Sequence, residues 1–164
     1  MTSPVKALFE PFRLGNLELP TRVVMAPMTR SFSPGGVPNS KVIEYYRRRA
    51  AAGVGLIITE GTTVNHPAAN GYPNVPRFYG EDALAGWKKV VDAVHAEGGK
   101  IAMQILHFGR YSYQRSLVAP SALQAPINPY VSHALTGDEV EQTIDDFVHC
   151  AALAQHAGYD GVEI

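Results

Sequence analysis

At 164 residues the chain is long enough to bury one core, since a domain of about 150 residues hides roughly two thirds of the surface its unfolded form exposes. Lys plus Arg number 14 against 15 Asp plus Glu, for a net charge of −1. No global field therefore recruits nucleic acid or an anionic membrane, and a small molecule is the expected partner. Cys150 is the single cysteine, which excludes an intramolecular disulfide and a cysteine-ligated zinc or iron–sulfur site built by this chain alone, and points to a reducing, cytoplasmic setting.

The opening MTSPVKALFEPF has no basic head followed by an apolar run, and no later stretch approaches the ~20 apolar residues of a membrane span. The first strand is expected at Val23 to Pro27, a short buried run. From Asn39 to Ala52, Val42, Ile43, Tyr45 and Tyr46 recur at helical spacing, with Asn39 or Ser40 as cap and Gly53 as stop. A second strand, Gly55 to Gly61, leads into a loop rich in Pro, Asn and Gly as far as Phe78. A helix from about Glu81 to Glu97 follows, ended by Gly98 and Gly99. The third strand is Lys100 to His107, and the loop behind it is too long for a simple connector. Thr136 to Glu139 fits a capping box opening a helix with Val140, Ile144, Phe147, Val148 and Ala151 on one face. Gly158 stops it, and Asp160 to Ile164 begins a fourth strand.

Strands separated by helices imply an α/β protein with a parallel sheet, because parallel neighbours need a crossover of a dozen residues or more. A dinucleotide-binding open sheet should show G-x-G-x-x-G after its first strand, whereas this chain has MTRSFSPGG there. A TIM (β/α)₈ barrel typically needs about 250 residues. Four strands and three helices therefore read as the first half of such a barrel, residues 1–164 forming a single partial domain. A fourth strand with no covering helix predicts a fragment, or a chain that associates with a complementary half or with itself as a homo-oligomer.

In a barrel the loops after the strands line the active face. Alternation along the third strand puts Ile101, Met103 and Ile105 on the helix side and Ala102, Gln104 and Leu106 on the inner side. The Gln104 amide can offer a donor and an acceptor to a heterocycle edge, or bond neighbouring backbone. Thr29, behind Ala26, Pro27 and Met28, can hydrogen-bond a ligand carbonyl or serve a turn. Gly61 lets a flat ligand approach the backbone, or is a plain turn residue. His107 ends the third strand as a structural or a catalytic histidine. Tyr72 can wall a pocket over the barrel mouth, and Arg110, Tyr111 and Tyr113 can recognise an anionic or aromatic group, with Arg77 and Arg115 read as solvated. No Ser/His/Asp array, metal cluster or phosphate loop with a lysine is evident. Chemistry by a bound organic cofactor remains.

Five separated motifs resemble the old yellow enzyme, or NADH:flavin oxidoreductase, family: Phe9-Glu-Pro-Phe-Arg-Leu-Gly-Asn16, Arg22 to Arg30, Leu56 to Gly61, Gln104 to Arg110, and Ala157 to Ile164. The resemblance implies FMN at the C-terminal rim, with Ala26, Pro27 and Met28 against the ring, Thr29 on a ring carbonyl, Gly61 near the ring and Gln104 on its pyrimidine edge. It implies a substrate pocket bordered by Tyr72, and by Leu106 where the ene-reductase branch often carries Trp. It further implies a flavoprotein oxidoreductase that takes hydride from NADPH or NADH and reduces activated C=C bonds of enone or enoyl substrates. In that family the catalytic His/Asn pair, tyrosine proton donor and phosphate loops lie beyond the position of Ile164. Two other readings stand beside it: a half-barrel assembly module without turnover, and another flavin barrel such as an amine dehydrogenase.

Overall fold

A computed structural model describes residues 5–164; Met1–Pro4, part of the opening segment read for a leader, lie outside the described residues. The strands are β1 (Phe12–Leu14), β2 (Leu17–Leu19), β3 (Val24–Met25), β4 (Leu56–Ile58), β5 (Thr62–Thr63), β6 (Lys100–Leu106), β7 (Val118–Ala119), β8 (His133–Ala134) and β9 (Gly161–Glu163). The helices are α1 (Ser40–Ala51), α2 (Glu81–Ala96) and α3 (Gly137–Ala157).

The expected parallel sheet is present, in the order β3, β4, β6, β9. Its register runs Val24 to Leu56 to Lys100 at the lower end, with Ala102 beside Gly161 and Gln104 beside Glu163 further up. Along β6, Ile101, Met103 and Ile105 are buried while Ala102, Gln104 and Leu106 are half-buried. The buried set packs in one core with Ile57 of β4, Val42 and Tyr46 of α1, Trp87, Val90, Val91 and Val94 of α2, and Cys150 and Ala154 of α3. All three helices therefore share one face of the sheet, as the outer layer of a barrel does; an open doubly wound sheet carries helices on both faces.

Two strands are shorter than their apolar runs. Val23 to Pro27 yields only Val24–Met25, paired with β4 alone, and Pro27 has no N–H to extend a ladder. Gly55 to Gly61 yields only Leu56–Ile58 as β4, and a separate short strand, β5, begins just past Gly61, because side chains take up backbone groups between them. Gln104 N donates to Thr59 Oγ1 (3.2 Å) and Glu60 N donates to the Tyr46 hydroxyl (2.9 Å). β5 then resumes pairing, with Thr62 beside Ile105.

Asn39 caps α1 by accepting from Lys41 N and Val42 N, and Thr136 with Glu139 closes the expected capping box on α3. Gly158 ends α3 in the left-handed conformation, φ 91°. Val140, Ile144, Phe147, Val148 and Ala151 do share one face of α3, but that face is only partly covered: Val140, Ile144 and Val148 are exposed, and the buried residues of the helix are Cys150 and Ala154. The apolar stripe is wider than the sheet covers, so small residues on its far side make the close contact while Ile144, Phe147 and Val148 line an open groove of about 530 Å³ with Ile164.

Below the sheet, Asp160 ties three elements together by accepting from Lys100 Nζ (2.9 Å), His95 Nε2 (2.7 Å) and Ile101 N (2.9 Å). Burial alone would raise its carboxyl, but the Ile101 N–H, His95 and Lys100 outweigh this and hold it below the usual carboxylate range. The hairpin β1–β2, joined through Gly15 and Asn16, was not expected; three-residue strands are too short to display an alternating pattern. Nor were β7 and β8, a parallel pair inside the long loop after β6.

Candidate functional site

The C-terminal ends of β3, β4 and β6 lie side by side, and each delivers one of the expected groups. Gln104 occupies the inner side of β6, half-buried, and among the described residues no hydrogen bond uses its side-chain amide. Gly61 lies against it. A Cβ built on Gly61 would fall 3.2 Å from Gln104 Oε1 and 2.3 Å from Leu106 Cδ2. The absence of a side chain at position 61 thus does something the residue pattern alone does not reveal: it lets the rim segment close onto Gln104 and Leu106.

Thr29 is exposed and makes no hydrogen bond among the described residues, so its hydroxyl is free for a ligand. The residues before it alternate. Ala26 and Met28 are exposed, Met28 by 53%, while Pro27 is half-buried. Ala26, Met28 and Thr29 are therefore all exposed on the segment that follows β3.

A set of residues that sequence reasoning missed joins Thr29 to Gly61. Arg30 directly follows Thr29, and its backbone N–H donates to Glu60 Oε2 (3.0 Å) while its Nε and Nη2 donate to Glu60 Oε1 (both 3.3 Å). Glu60, directly before Gly61, is fully buried. Tyr46 of α1 accepts from Glu60 N and donates to Glu60 Oε1 (3.5 Å); burial and the Glu60 carboxylate push its phenol well up, so it stays a donor. The Arg30 guanidinium lies 3.5 Å from the Tyr45 ring centroid. A signal for this set existed, since Arg30 closes the first-strand motif and Glu60 is the charged residue of the second-strand motif, but charge on a loop reads by default as solvated.

Glu163 on β9, beside Gln104 in register, was also missed; its Oε2 is buried and unpartnered among the described residues. It sits on β9, which pairs only with β6 among the described strands, and its sequence context, Gly-Val-Glu-Ile, reads as plain strand.

Above this rim two loops zip together. Phe108 N donates to Ala69 O (3.1 Å), Tyr113 N to Gly71 O (3.1 Å) and Ser112 Oγ to Asn70 O (2.8 Å). Gly71 presses on Phe108, where a Cβ would fall 2.2 Å from Cγ. Tyr72 is thereby fixed edge-on to Phe108 at 4.8 Å and beside Tyr113 at 4.9 Å, an aromatic cluster in the loops above the rim.

His107 joins the zipper. Its Nδ1 accepts from Gly109 N (2.9 Å), which leaves the neutral ring's proton on Nε2, and Nε2 donates to His66 Nδ1 (3.0 Å), itself the acceptor of Ala68 N–H (3.1 Å). Burial, then His66, outweigh the pull of Asp146 and lower His107 to about 4. It acts as a neutral brace between loops. Arg77, read as solvated, is instead a clasp holding Asp82 (2.8 Å) and the Tyr79 carbonyl (3.1 Å). Arg110 and Arg115 lie over Tyr111 and Tyr130.

The arrangement fits a flat, polar-edged ring. Ala26 and Met28 offer apolar contact, Thr29 a hydroxyl, and Gln104 an amide whose hydrogen-bonding capacity nothing in the described chain consumes. Among the described residues no group of three or more His, Cys, Asp or Glu side chains could hold a metal ion. No helix among them is long and apolar enough to cross a membrane.

Known proteins resemble the chain over nearly its whole length. The sequence model of the NADH:flavin oxidoreductase / NADH oxidase family matches residues 7–164. The chain is 43% identical to 12-oxophytodienoate reductase 1 of Oryza sativa subsp. japonica, over 96% of this chain and 44% of that protein. It superposes on morphinone reductase in complex with tetrahydroNAD with a TM-score of 0.89 at 40% identity, covering 95% of this chain and 48% of that one. For the old yellow enzyme homologue from Zymomonas mobilis the TM-score is 0.88 at 36% identity, with 95% and 47% covered. The chain spans about half the length of the relatives it matches, as four staves of an eight-stave barrel should.

Proposed function

Because this chain belongs to the NADH:flavin oxidoreductase / NADH oxidase family, we propose that the complete gene product is an FMN-dependent NAD(P)H oxidoreductase that reduces the activated C=C bond of α,β-unsaturated carbonyl compounds. The observation that carries this reading is the unspent Gln104 amide lying against Gly61, together with the exposed Thr29 on the segment that follows β3. When bound, FMN would supply the hydride-transfer chemistry that links NADPH or NADH to the electron-poor alkene. Gln104 would hold the pyrimidine edge, Thr29 would donate to a ring carbonyl, and Ala26, Pro27 and Met28 would cover the ring. Gly61 would keep the rim low enough for the ring to seat.

Tyr72, fixed by Phe108 and Tyr113, would wall the substrate pocket, with Leu106 as a second lining residue. A leucine there leaves more room than a tryptophan and favours bulkier enones. The buried, unpaired Cys150 fits a reducing compartment, and the cytoplasm is its proposed location. The catalytic acid and the carbonyl-binding pair are assigned to residues outside this chain. The open groove along Ile144, Phe147, Val148 and Ile164 is the proposed seat of the remaining barrel half.

The test is direct. The complete gene product is purified, loaded with FMN, and supplied with NADPH or NADH and a small cyclic enone. Enone-dependent oxidation of the nicotinamide with the saturated ketone as product is expected. A protein that takes up no FMN, or a flavoprotein that leaves the C=C bond intact, overturns the proposal.

A further inference from the structure

We propose that Glu60 is a positioning residue for the flavin: its buried carboxylate holds the Thr29–Arg30 peptide against Gly61 and so sets the hydrogen bond Thr29 gives the ring, tuning the ring's reduction potential without touching it. The inference rests on the flavin reading above and goes beyond it by naming what holds Thr29 in place.

Thr29 itself has no partner among the described residues, and β3 ends four residues before it, at Met25. The strand ladder therefore cannot place its hydroxyl. The amide that donates to Glu60 Oε2 belongs to the peptide between Thr29 and Arg30. That peptide is planar, and its rigid unit runs from the Cα of Thr29 to the Cα of Arg30. One hydrogen bond thus fixes the orientation of the Thr29 Cα.

The second carboxylate oxygen takes the Arg30 guanidinium, so backbone and side chain of the same residue grip the two oxygens of one group. Glu60 has no slack of its own. It is fully buried, its N–H is bonded to the Tyr46 hydroxyl, and the same hydroxyl donates to its Oε1. Glu60 is also peptide-bonded to Gly61, which lies against Gln104. One carboxylate therefore references the hydroxyl on one strand end to the amide two staves away. A buried charge pair is seldom the most stable way to fill such a space, and its attested use is to fix one arrangement among several.

The consequence is electrochemical. A reduced flavin ring carries added negative charge, and a hydroxyl donating to its carbonyl stabilises that charge and raises the potential. Replacing Thr29 by alanine should lower the potential of the FMN-loaded complete gene product. If Glu60 holds Thr29 in register, the effect of Thr29→Ala must depend on what occupies position 60.

The experiment is a double-mutant cycle on the flavin midpoint potential: wild type, Thr29→Ala, Glu60→Gln and the double variant, with the visible spectrum of the bound flavin recorded alongside. Glutamine keeps the shape of the side chain and removes the ion pair with Arg30. Loss of the negative charge also shifts the potential directly, but that shift is common to both Glu60→Gln proteins and cancels in the cycle. The drop caused by Thr29→Ala is expected to shrink to less than half in the Glu60→Gln background. An equal drop in both backgrounds overturns the proposal, even if Glu60→Gln lowers the melting temperature, because a merely structural clasp would do only that. Should Glu60→Gln fail to fold, Glu60→Asp supplies the same cycle: it keeps the charge but draws the carboxylate one methylene back from the Thr29–Arg30 peptide, and the same two outcomes decide. A wild-type protein that takes up no FMN overturns the flavin reading and this inference together, whereas equal drops in a yellow protein overturn this inference alone.

Discussion

Replacing Gly61 by alanine should damage the site in a way that can be worked from distances. The new methyl would meet Leu106 Cδ2 at 2.3 Å, Gln104 Oε1 at 3.2 Å and Leu106 Cβ at 3.3 Å. The φ of Gly61 is not in the left-handed region, so alanine adopts the backbone freely and the effect is steric alone. The worst contact is with the end of a side chain that is only half-buried, so Leu106 can swing toward the open face. The expected loss is about 1–2 kcal/mol, in the lower part of the ordinary overpacking range. The swing carries Leu106 into the space assigned to the ring, so FMN affinity should fall as well. The assay is urea unfolding of the flavin-free complete gene product for Gly61→Ala, Leu106→Ala and the double variant, followed by FMN titration of each. Removing the Leu106 side chain should relieve the clash, making the double variant more stable than the sum of the singles by at least about 0.5 kcal/mol. Additive losses, or a Gly61→Ala protein as stable as the parent, would refute the close approach.

Three further outcomes are expected. Gln104→Ala should weaken FMN binding by about 1–3 kcal/mol, the penalty for leaving a buried polar edge unpaired; an unchanged dissociation constant in fluorescence titration would remove Gln104 from the site. Asp160→Asn keeps an acceptor for Ile101 N–H but loses the charge facing Lys100 and His95, and should lower unfolding stability by about 1–2 kcal/mol at neutral pH after allowance for solvent screening. Because the folded Asp160 carboxyl lies below its ordinary value near 3.9, its contribution is full above about pH 4 and drains as the pH falls through the lowered folded value. His107 behaves in a higher window. Its folded value of about 4 lies below the ordinary 6.5, so the unfolded chain binds the proton first, and stability should fall as the pH drops from about 6.5 to 4, by about 1–2 kcal/mol with screening allowed for. Unfolding midpoints of wild type and His107→Gln across that range read the effect, and parallel profiles would contradict it.

The architecture was legible because strand–helix alternation leaves few topologies, and because the two-residue period along β6 by itself separates Ile101, Met103 and Ile105 from Gln104 and Leu106. The helix caps were legible for the same local reason. What stayed hidden depends on pairing across distance. Arg30 and Glu60 are 30 residues apart, and only the parallel register of β3 and β4 brings them together. His66 and His107 are 41 residues apart, and nothing along the chain pairs the strand-end His107 with a partner in the earlier loop. The role of Gly61 was half-legible: the need for a bare backbone was visible, while its reason, the side chains of Leu106 and Gln104, lay on another strand. Which part of the apolar stripe of α3 is covered stayed hidden for a related reason, since sequence shows which residues are apolar and not which of them a neighbouring element covers.

Thr29, Gly61 and Gln104 are proposed to line one rim that holds FMN. A crystal structure of the FMN-loaded complete gene product tests it most directly. The Gln104 amide and the Thr29 hydroxyl should both lie within hydrogen-bond distance of the flavin ring, with Gly61 in contact with it. A flavin seated elsewhere, or one that leaves Gln104 unpaired, would contradict the assignment.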